Sequence, residues 1–332
     1  MTWDQLDWTA LERLRRGFLS GAAPTGPYWT SREELAGYDL TYGERIGWKW
    51  DAVLAEVRAR GWAPAGGTVL DWGCGSGTAG RRVLRAFGAD RFDSLVVWDH
   101  SPLASAYAAE AASAEFPSLR TSVAIPGFLR SDEPLGLLVA SHVLNELDTE
   151  SLAGLRALAR RSAAVLWVEP GTRETSRRLG EVRDELLDSF GVVAPCTHRL
   201  RCPVLAPGAE RHWCHHFAAP PPSIFTDSNW MKFGRRAGID LRSLPYSFIA
   251  MDRSWAADSS AGLSRVVGRP EHLKGFVRLL NCDSTGLAEL RLQKRDDPAL
   301  YKELERTRRP LVYRWRRDGT KIVGSGECPG TC

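Results

Sequence analysis

The stretch Val69-Leu70-Asp71-Trp72-Gly73-Cys74-Gly75-Ser76-Gly77 decides how this chain folds. Residues Thr68 to Asp71 form a short apolar run of the kind that makes a buried strand, and the run ends in a carboxylate. Alternating glycines follow, and glycine lets the backbone pass close to a ligand with no Cβ in the way. A helix-like run from about Ala79 to Phe87 comes next, and its first turn offers free backbone N–H groups. The spacing D-x-G-x-G-x-G departs from the G-x-G-x-x-G dinucleotide fingerprint. A nicotinamide- or nucleotide-binding Rossmann domain is the competing reading. Cys74, inside the loop, reads as a small packed side chain.

Outward from this stretch the pattern is βαβ. Leu95 to Asp99 is the next strand, and a helix covers Leu103 to Ala114. Thr121 to Ile125, Leu137 to Ser141 and Ala164 to Val168 complete the strands, each separated by a helix-like stretch. Strands alternating with helices predict an α/β fold with a parallel, doubly wound, Rossmann-like sheet over 67–191. Upstream, Leu6, Leu11, Leu14 and Phe18 fall at helical spacing, and Gly21 to Trp29 reads as a loop. A second helix spans about Tyr42 to Arg60, so 1–66 is an N-terminal helical region. Downstream, 192–225 is a loop-rich insertion, and 226–255 returns to the sheet through a helix at Asp227 to Ala237 and a strand at Ser247 to Met251. The rest, 256–332, carries a β-hairpin of Phe276 to Asn281 and Ala288 to Gln293, then a polar helix and a basic stretch.

Asp99 ends the second strand, 22 residues beyond Gly77. A carboxylate there can accept hydrogen bonds from both hydroxyls of a ribose, since ligands of such sheets sit outside the carboxyl ends of the strands. The pair of motifs resembles the first two motifs of class I S-adenosylmethionine (SAM)-dependent methyltransferases. That resemblance implies that Asp71 orients the glycine loop and the methionine amine, that Gly73, Gly75 and Gly77 line the cofactor, and that Asp99 holds its ribose. After the fourth strand, Ser141-His142-Val143-Leu144-Asn145-Glu146-Leu147 lacks the Asn/Asp-Pro-Pro-aromatic tetrapeptide of many amino-directed methyltransferases. His142 or Glu146 can serve as a base there. Asn145 and Glu146 equally suit the cap and first turn of the next helix, and no catalytic residue is singled out.

At 332 residues and 43% hydrophobic, the chain has room for a large core domain and a second module. It holds no apolar run of about 18 residues, and the early Asp4, Asp7 and Glu12 leave no apolar segment of a secretory leader. These features predict a protein of a bacterial cytoplasm or a mitochondrial matrix, monomeric and without membrane contact. The net charge is only +4, but Arg291 to Lys321 holds 11 Lys/Arg against 5 Asp/Glu. This segment, with Arg308, Arg309, Arg316 and Arg317, is either a phosphate-binding surface or a solvated helix face.

The chain has seven cysteines, and in a reducing compartment clustered cysteines suggest metal ligation rather than disulfides. Cys196, Cys202 and Cys214 are spaced Cys-x5-Cys-x11-Cys, and Cys282 ends the first hairpin strand. Four thiolates suit either zinc or an iron–sulfur cluster. His198, His212, His215 and His216 keep a mixed Cys/His zinc site open. The segment is poor in apolar residues, so a bound centre is expected to order it. The tail Cys328-Pro-Gly-Thr-Cys332 reads as disordered.

Ala194-Pro195-Cys196-Thr197-His198, Cys202-Pro203-Val204-Leu205, Trp213-Cys214-His215-His216-Phe217, Arg265-Val266-Val267-Gly268-Arg269-Pro270 and Cys282 together resemble the methyltransferase-like family of small-ribosomal-subunit assembly factors of mitochondria and bacteria. The likeness covers roughly residues 38 to 310. It implies a class I methyltransferase fold that carries a [4Fe-4S] cluster on Cys196, Cys202, Cys214 and Cys282 and associates with small-subunit ribosomal RNA. The Cys202–Cys214 interval is longer than in that family. The resemblance leaves open a working methyltransferase or a catalytically silent assembly factor. Two other functions compete: a methyltransferase of a small molecule or peptide with a structural zinc site, and a binding module that has lost its cofactor. The intact Asp71, glycines and Asp99 oppose the last. The polar, cysteine-rich insertion is a poor apolar lid for a small substrate.

Overall fold

The computed structural model describes residues 1–19, 28–256, 262–306 and 310–326. Helices α1 (Trp8–Leu19), α2 (Arg32–Tyr38) and α3 (Glu44–Ala59) come first, with one π-helical turn, Asp39–Gly43, joining the last two. Then follow β1 (Thr68–Trp72), α4 (Thr78–Phe87), β2 (Ser94–Trp98), α5 (Pro102–Glu115), β3 (Arg120–Val123) and α6 (Pro126–Arg130). The alternation continues through β4 (Leu135–Ser141), α7 (Thr149–Arg160), β5 (Ser162–Pro170) and α8 (Arg173–Leu186). Across the insertion lie the short strands β6 (Gly191–Ala194) and β7 (His216–Ala218), then α9 (Ser223–Thr226), α10 (Ser228–Ala237) and β8 (Leu244–Asp252). The chain ends with β9 (Ser264–Leu273), β10 (Phe276–Asp283), β11 (Gly286–Gln293), α11 (Pro298–Arg306), β12 (Val312–Asp318) and β13 (Lys321–Gly326).

These elements form two compact units. The first comprises Met1–Leu54, Ala63–Val168 and Ala219–Leu244. Its parallel strands run in the order β3-β2-β1-β4-β5, with Asp71 beside Val97 of β2 and Val139 of β4. Helices cover both faces of a parallel sheet, so β1, β2 and β4 read as nearly continuous apolar runs. At the edge, β3 is the polar, exposed sequence Arg-Thr-Ser-Val, which blunts the open side against pairing with another chain. Leu14, Trp29, Leu35 and Ala104 form one buried cluster of this unit. The doubly wound Rossmann-like sheet is as the alternation predicts.

The second unit comprises Ala55–Trp62, Glu169–Ala218 and Pro245–Cys332. Here β8 pairs with β6, antiparallel, and with β7. The expected hairpin is present as β10–β11, turning at Asp283 and Gly286. It belongs to a closed five-stranded barrel, β10-β11-β13-β12-β9. In β10 every second residue is buried, which is the alternation of a strand with one face inward. A lone hairpin would leave Val277, Leu279, Leu290 and Leu292 in water. Closure buries them with Ile322 and with Leu300 and Leu304 of α11. The basic stretch 291–321 is therefore not one helix face, because it passes from β11 through α11 and β12 to the start of β13. Arg308, Arg309, Cys328 and Cys332 lie outside the described residues. Among the described residues no helix is long and apolar enough to cross a membrane.

Candidate functional site

The turn after β1 is built for close approach. Gly73, Gly75 and Gly77 all have positive φ, 68°, 51° and 77°, which costs an L side chain strain. Packing separates their roles. A Cβ on Gly73 would lie 2.5 Å from Val143, and one on Gly77 2.9 Å from Ala108, whereas one on Gly75 would meet nothing within 4 Å. Gly73 and Gly77 thus seat the loop against its own unit, and Gly75 turns an open face outward. The loop is held by Gly73 and Cys74 N–H groups donating to the Trp98 carbonyl at 2.7 and 2.9 Å. Cys74 is buried, as its reading as a packed residue requires.

Asp71 is fully buried, and its Oδ2 accepts from Gly80 N at 3.0 Å, tying β1 to the first turn of α4. Its Oδ1 is buried with no hydrogen-bond partner. Burial, opposed by the Gly80 bond and reinforced by the Asp99 charge, pushes the carboxyl up to about 7. The Asp99 carboxylate accepts from Gly75 N and from Ser101 N, each at 2.9 Å. It stands therefore at the glycine loop, with His100 Nδ1 3.3 Å from Oδ1, and Oδ2 keeps a lone pair for a further donor. Burial raises its pKa too. An open glycine face, an orphaned carboxylate oxygen and a second carboxylate at the next strand end fit a cofactor bearing a cation and a ribose.

The Asp71 shift has a testable sign. A carboxyl whose folded pKa lies above its unfolded value stabilises the fold while protonated, and that stability is lost as pH rises from about 4 to about 7. Asp71→Asn keeps an acceptor for Gly80 N and removes the titration. In the cofactor-free protein, the wild type is expected to lose on the order of 4 kcal/mol relative to Asp71→Asn across this window. Parallel pH profiles of urea unfolding for the two proteins would rule the burial argument out.

Of the two candidate bases, His142 is already engaged. It stands at φ 57° just after β4, an uncommon conformation for a non-glycine residue. Lys49 Nζ lies 3.0 Å from its Nε2, and Ser141 Oγ lies 3.2 Å from its Nδ1. Trp50 Nε1 donates to the same Ser141 hydroxyl at 2.9 Å. Burial first, then the Lys49 and Arg45 charges, hold the imidazole well below the usual histidine range. The neutral ring accepts from the buried ammonium of Lys49, which leaves Nε2 no lone pair for a substrate proton. Glu146 sits where its charge raises the pKa values of Tyr28 and Tyr38, after burial as the larger cause. Asp99 and Cys74 act on Tyr28 as well. Tyr28 therefore belongs to the surroundings of the glycine loop, although the sequence places it only in a Gly/Pro-rich connection.

The four central cysteines all lie in the second unit, on segments far apart in sequence. Burial and then Cys196 push the Cys202 thiol up to about 12. The Cys214 thiol is raised by burial, Cys196 and Cys202, and the Cys282 thiol by burial, Cys196, Cys214 and Cys202. His216 Nε2 lies 3.6 Å from Cys214 Sγ, and His198 Nε2 3.8 Å from Cys282 Sγ. His215 instead stacks on Trp213 at 4.7 Å, and His212 accepts from Arg211 Nε at 3.1 Å. Among the described residues, no three His, Cys, Asp or Glu side chains converge so as to hold a single metal ion.

Nearby guanidiniums oppose the rise without overcoming burial: Arg183 acts on Cys202 and Cys214, and Arg265 on Cys214. Arg183 and Arg265 are almost completely buried. Arg265 pairs with Glu56, donating to its Oε2 at 3.1 Å, and its Nη2 lies 3.1 Å from His216 Nδ1. Arg60 donates to Glu56 at 2.8 Å and to the carbonyls of Val193 and Cys196 at 2.8 and 3.2 Å. From α8, Arg183 donates to the Leu200 and His198 carbonyls at 2.6 and 2.8 Å, and Arg177 reaches those of Ala209 and His212 at 3.3 and 3.2 Å. Guanidinium forks therefore brace the insertion's backbone, satisfying carbonyls that no strand or helix pairs. The expectation that only a bound centre orders this segment is too simple. Apart from the i,i+4 pair Glu56–Arg60, these partners are not legible from spacing, since Glu56 and Arg265 lie 209 residues apart.

Comparison with known proteins adds three findings. No curated protein matches the sequence. Solved structures similar to the chain include magnesium protoporphyrin IX methyltransferase (ChlM) from Synechocystis PCC 6803 with bound SAM, at 14% identity, covering 75% of this chain and 98% of that one, with a TM-score of 0.41. A putative RNA methyltransferase (PH1948) from Pyrococcus horikoshii is similar at 11% identity, covering 56% and 72%, with a TM-score of 0.34. The 16S rRNA methylase RmtB is similar at 14% identity over 55% and 68%, also with a TM-score of 0.34. The third finding is a family model, described as mitochondrial small ribosomal subunit Rsm22, that matches residues 51–309. That span includes Asp71 to Gly77, Asp99 and the four central cysteines. The chain belongs to the Rsm22 family of the mitochondrial small ribosomal subunit.

Proposed function

We propose that this protein binds SAM over the Gly73–Gly77 turn and acts on the small ribosomal subunit, methylating or helping to assemble its ribosomal RNA. In this reading it also carries an iron–sulfur cluster on Cys196, Cys202, Cys214 and Cys282. The observation that carries the cofactor assignment is the open face of Gly75 beside the orphaned Asp71 Oδ1. When bound, SAM supplies an electrophilic methyl group on a sulfonium. Asp71 would neutralise the amine of the methionine moiety, and Asp99 would hold the ribose hydroxyls while keeping the Gly75 amide in place. The family description supports the ribosomal partner and a mitochondrial setting. The placement of four partly buried cysteines in one unit, with His216 3.6 Å from Cys214 Sγ and His198 3.8 Å from Cys282 Sγ, supports a metal or cluster there. A single zinc would need the donors to close on one ion at about 2.3 Å from each sulfur, whereas a cubane presents a separate iron to each thiolate.

Calorimetry tests the cofactor. SAM is expected to bind at one site per chain, and Asp99→Ala to lose about 1.5–3 kcal/mol, tenfold or more in affinity. Equal affinity for the two proteins would remove Asp99 from the site. Tight binding of NAD with no binding of SAM would overturn the cofactor itself. The ribosomal reading predicts that the protein co-sediments with small-subunit precursors and not with large subunits.

A further inference from the structure

The C-terminal barrel closes in the order β9-β10-β11-β13-β12, with β11 and β13 parallel and α11 between β11 and β12. That connectivity is the one of oligonucleotide- and oligosaccharide-binding barrels, whose ligands cross the second and third strands between the 1–2 and 4–5 loops. A fold assigns no function by itself, so the side chains at that place must make the case. The second and third strands here are β10 and β11. Val277, Leu279 and Asn281 point inward from β10, so Phe276, Arg278, Leu280 and Cys282 point outward. Across the ladder, Phe276 stands beside Gln293, Arg278 beside Arg291, Leu280 beside Glu289 and Cys282 beside Leu287.

This outer face has two halves. The Cys282 end belongs to the thiol centre, and the Pro203–Leu205 turn lies against β11. The Phe276 end is different. Arg291 is exposed there, Phe276 and Arg278 are half-buried, and the Arg291 guanidinium carbon is 6.0 Å from the centre of the Phe276 ring. Both loops meet at this end, because Arg291 N donates to Thr320 O and Lys294 N to Gly275 O, each at 2.9 Å. Lys274, Arg278, Arg291, Lys294, Arg295 and Lys321 lie on or beside these strands and loops, with Glu271, Glu289, Asp296, Asp297 and Asp318 among them. The pairs made are at the surface: Arg278 with Glu271, its Nε donating to Oε2 at 2.8 Å, Arg278 and Arg291 with Glu289 at 3.9 and 3.6 Å, and Lys321 with Asp296 at 3.0 Å. Such pairs are worth little and exchange readily for phosphate.

We propose that this half-face binds single-stranded RNA, stacking an unpaired base on Phe276 and placing flanking phosphates on Arg278, Arg291 and Lys274. An aromatic ring on an open cationic strand pair suits bases whose faces are free, which a duplex does not offer. The net positive charge selects a polyanion over a neutral oligosaccharide. The choice of RNA over other single strands rests on the ribosomal reading above, which is tested separately by co-sedimentation.

The test is fluorescence anisotropy of the full chain with a labelled oligouridine of about twelve nucleotides, within the span of one such barrel. Phe276→Leu, which keeps apolar bulk, should weaken binding by about fivefold or more. Arg278→Glu with Arg291→Glu should weaken it by at least about tenfold, and so should raising KCl from about 50 to about 200 mM. Lys274→Ala, in a turn, supplies a variant with no packing role. Arg235→Glu on α10 should change nothing, and thermal melts show that each variant is folded. Undiminished binding by folded Phe276→Leu and Lys274→Ala would overturn the proposal, as would equal competition by a duplex of the same length or an equal loss with Arg235→Glu. If these variants lose oligouridine but still co-sediment with small subunits, the barrel site stands and the subunit is held elsewhere. If co-sedimentation fails in the wild type while Phe276-dependent binding persists, the ribosomal reading falls and this site does not.

Discussion

Replacing any one of Cys196, Cys202, Cys214 and Cys282 with Ser is expected to bleach the protein purified without oxygen. The wild type should be brown, with broad visible absorbance and about four irons per chain, as a cubane held by four thiolates requires. Each Ser variant should fall to less than about one iron, because a hydroxyl is a far weaker ligand and the remaining three thiolates leave one corner open to solvent. Cys74→Ser should keep its colour, since Cys74 is packed under the glycine loop of the other unit. The insertion itself should stay folded in the Ser variants, because Arg60, Arg177 and Arg183 hold its carbonyls independently of any metal. Iron content and limited proteolysis measure the two effects separately. A colourless anaerobic preparation with one zinc per chain would replace the cluster while keeping the ligand set, and His198 and His216 would then be the first side chains to test. A metal-free wild type would remove both.

The second large effect is expected at Glu56. This carboxylate is buried between Arg265 and Arg60, and although burial alone would raise its pKa, the two guanidiniums bring it below the usual range. Glu56→Gln would leave two buried cations without a counter-charge. Breaking a buried pair in this way costs about 3–5 kcal/mol, because the stranded charge keeps its desolvation penalty. The urea midpoint of the second unit should fall accordingly at pH 7. Replacing Glu56 and Arg265 together with Met should recover part of the loss, since it removes one buried charge along with its partner. A single-variant loss below about 1 kcal/mol would mean that water reaches the triad and that the pairing is a surface interaction.

The sign of the Glu56 contribution is opposite to that of Asp71. A carboxyl held below its unfolded pKa adds stability that is present at neutral pH and lost as pH falls through the folded value. Asp71 loses stability as pH rises towards about 7. Glu56 is hydrogen-bonded by two guanidiniums, whereas Asp71 feels only the smaller charge effect of Arg81 against burial and Asp99, and that difference sets the direction.

The sequence by itself determined the parallel sheet and its glycine turn. A strand, an acidic residue, spaced glycines and a helix start are local in the chain, so Asp71, Gly73, Gly75 and Gly77 can be read in one line, and the next strand end gives Asp99. The periodicity of buried parallel strands is equally local, and β1 to β5 fall within a few residues of where it places them. The cysteines were legible as a set, but their meeting was implied only by resemblance. The tertiary structure adds that Cys282 on a barrel strand lies 3.8 Å from His198 of the insertion. Partners were the least legible part. Tyr28 and Lys49 lie among residues whose spacing signals nothing, and the Lys49 contact removes His142 as a free base. Only the fold could decide which arginines brace the insertion and which stay exposed, because a guanidinium's role depends on the carbonyl or carboxylate it meets. The barrel was hidden for the same reason. A hairpin's alternation shows that one face needs covering, and the strands that cover it, with the cations they gather beside Phe276, lie elsewhere in the chain.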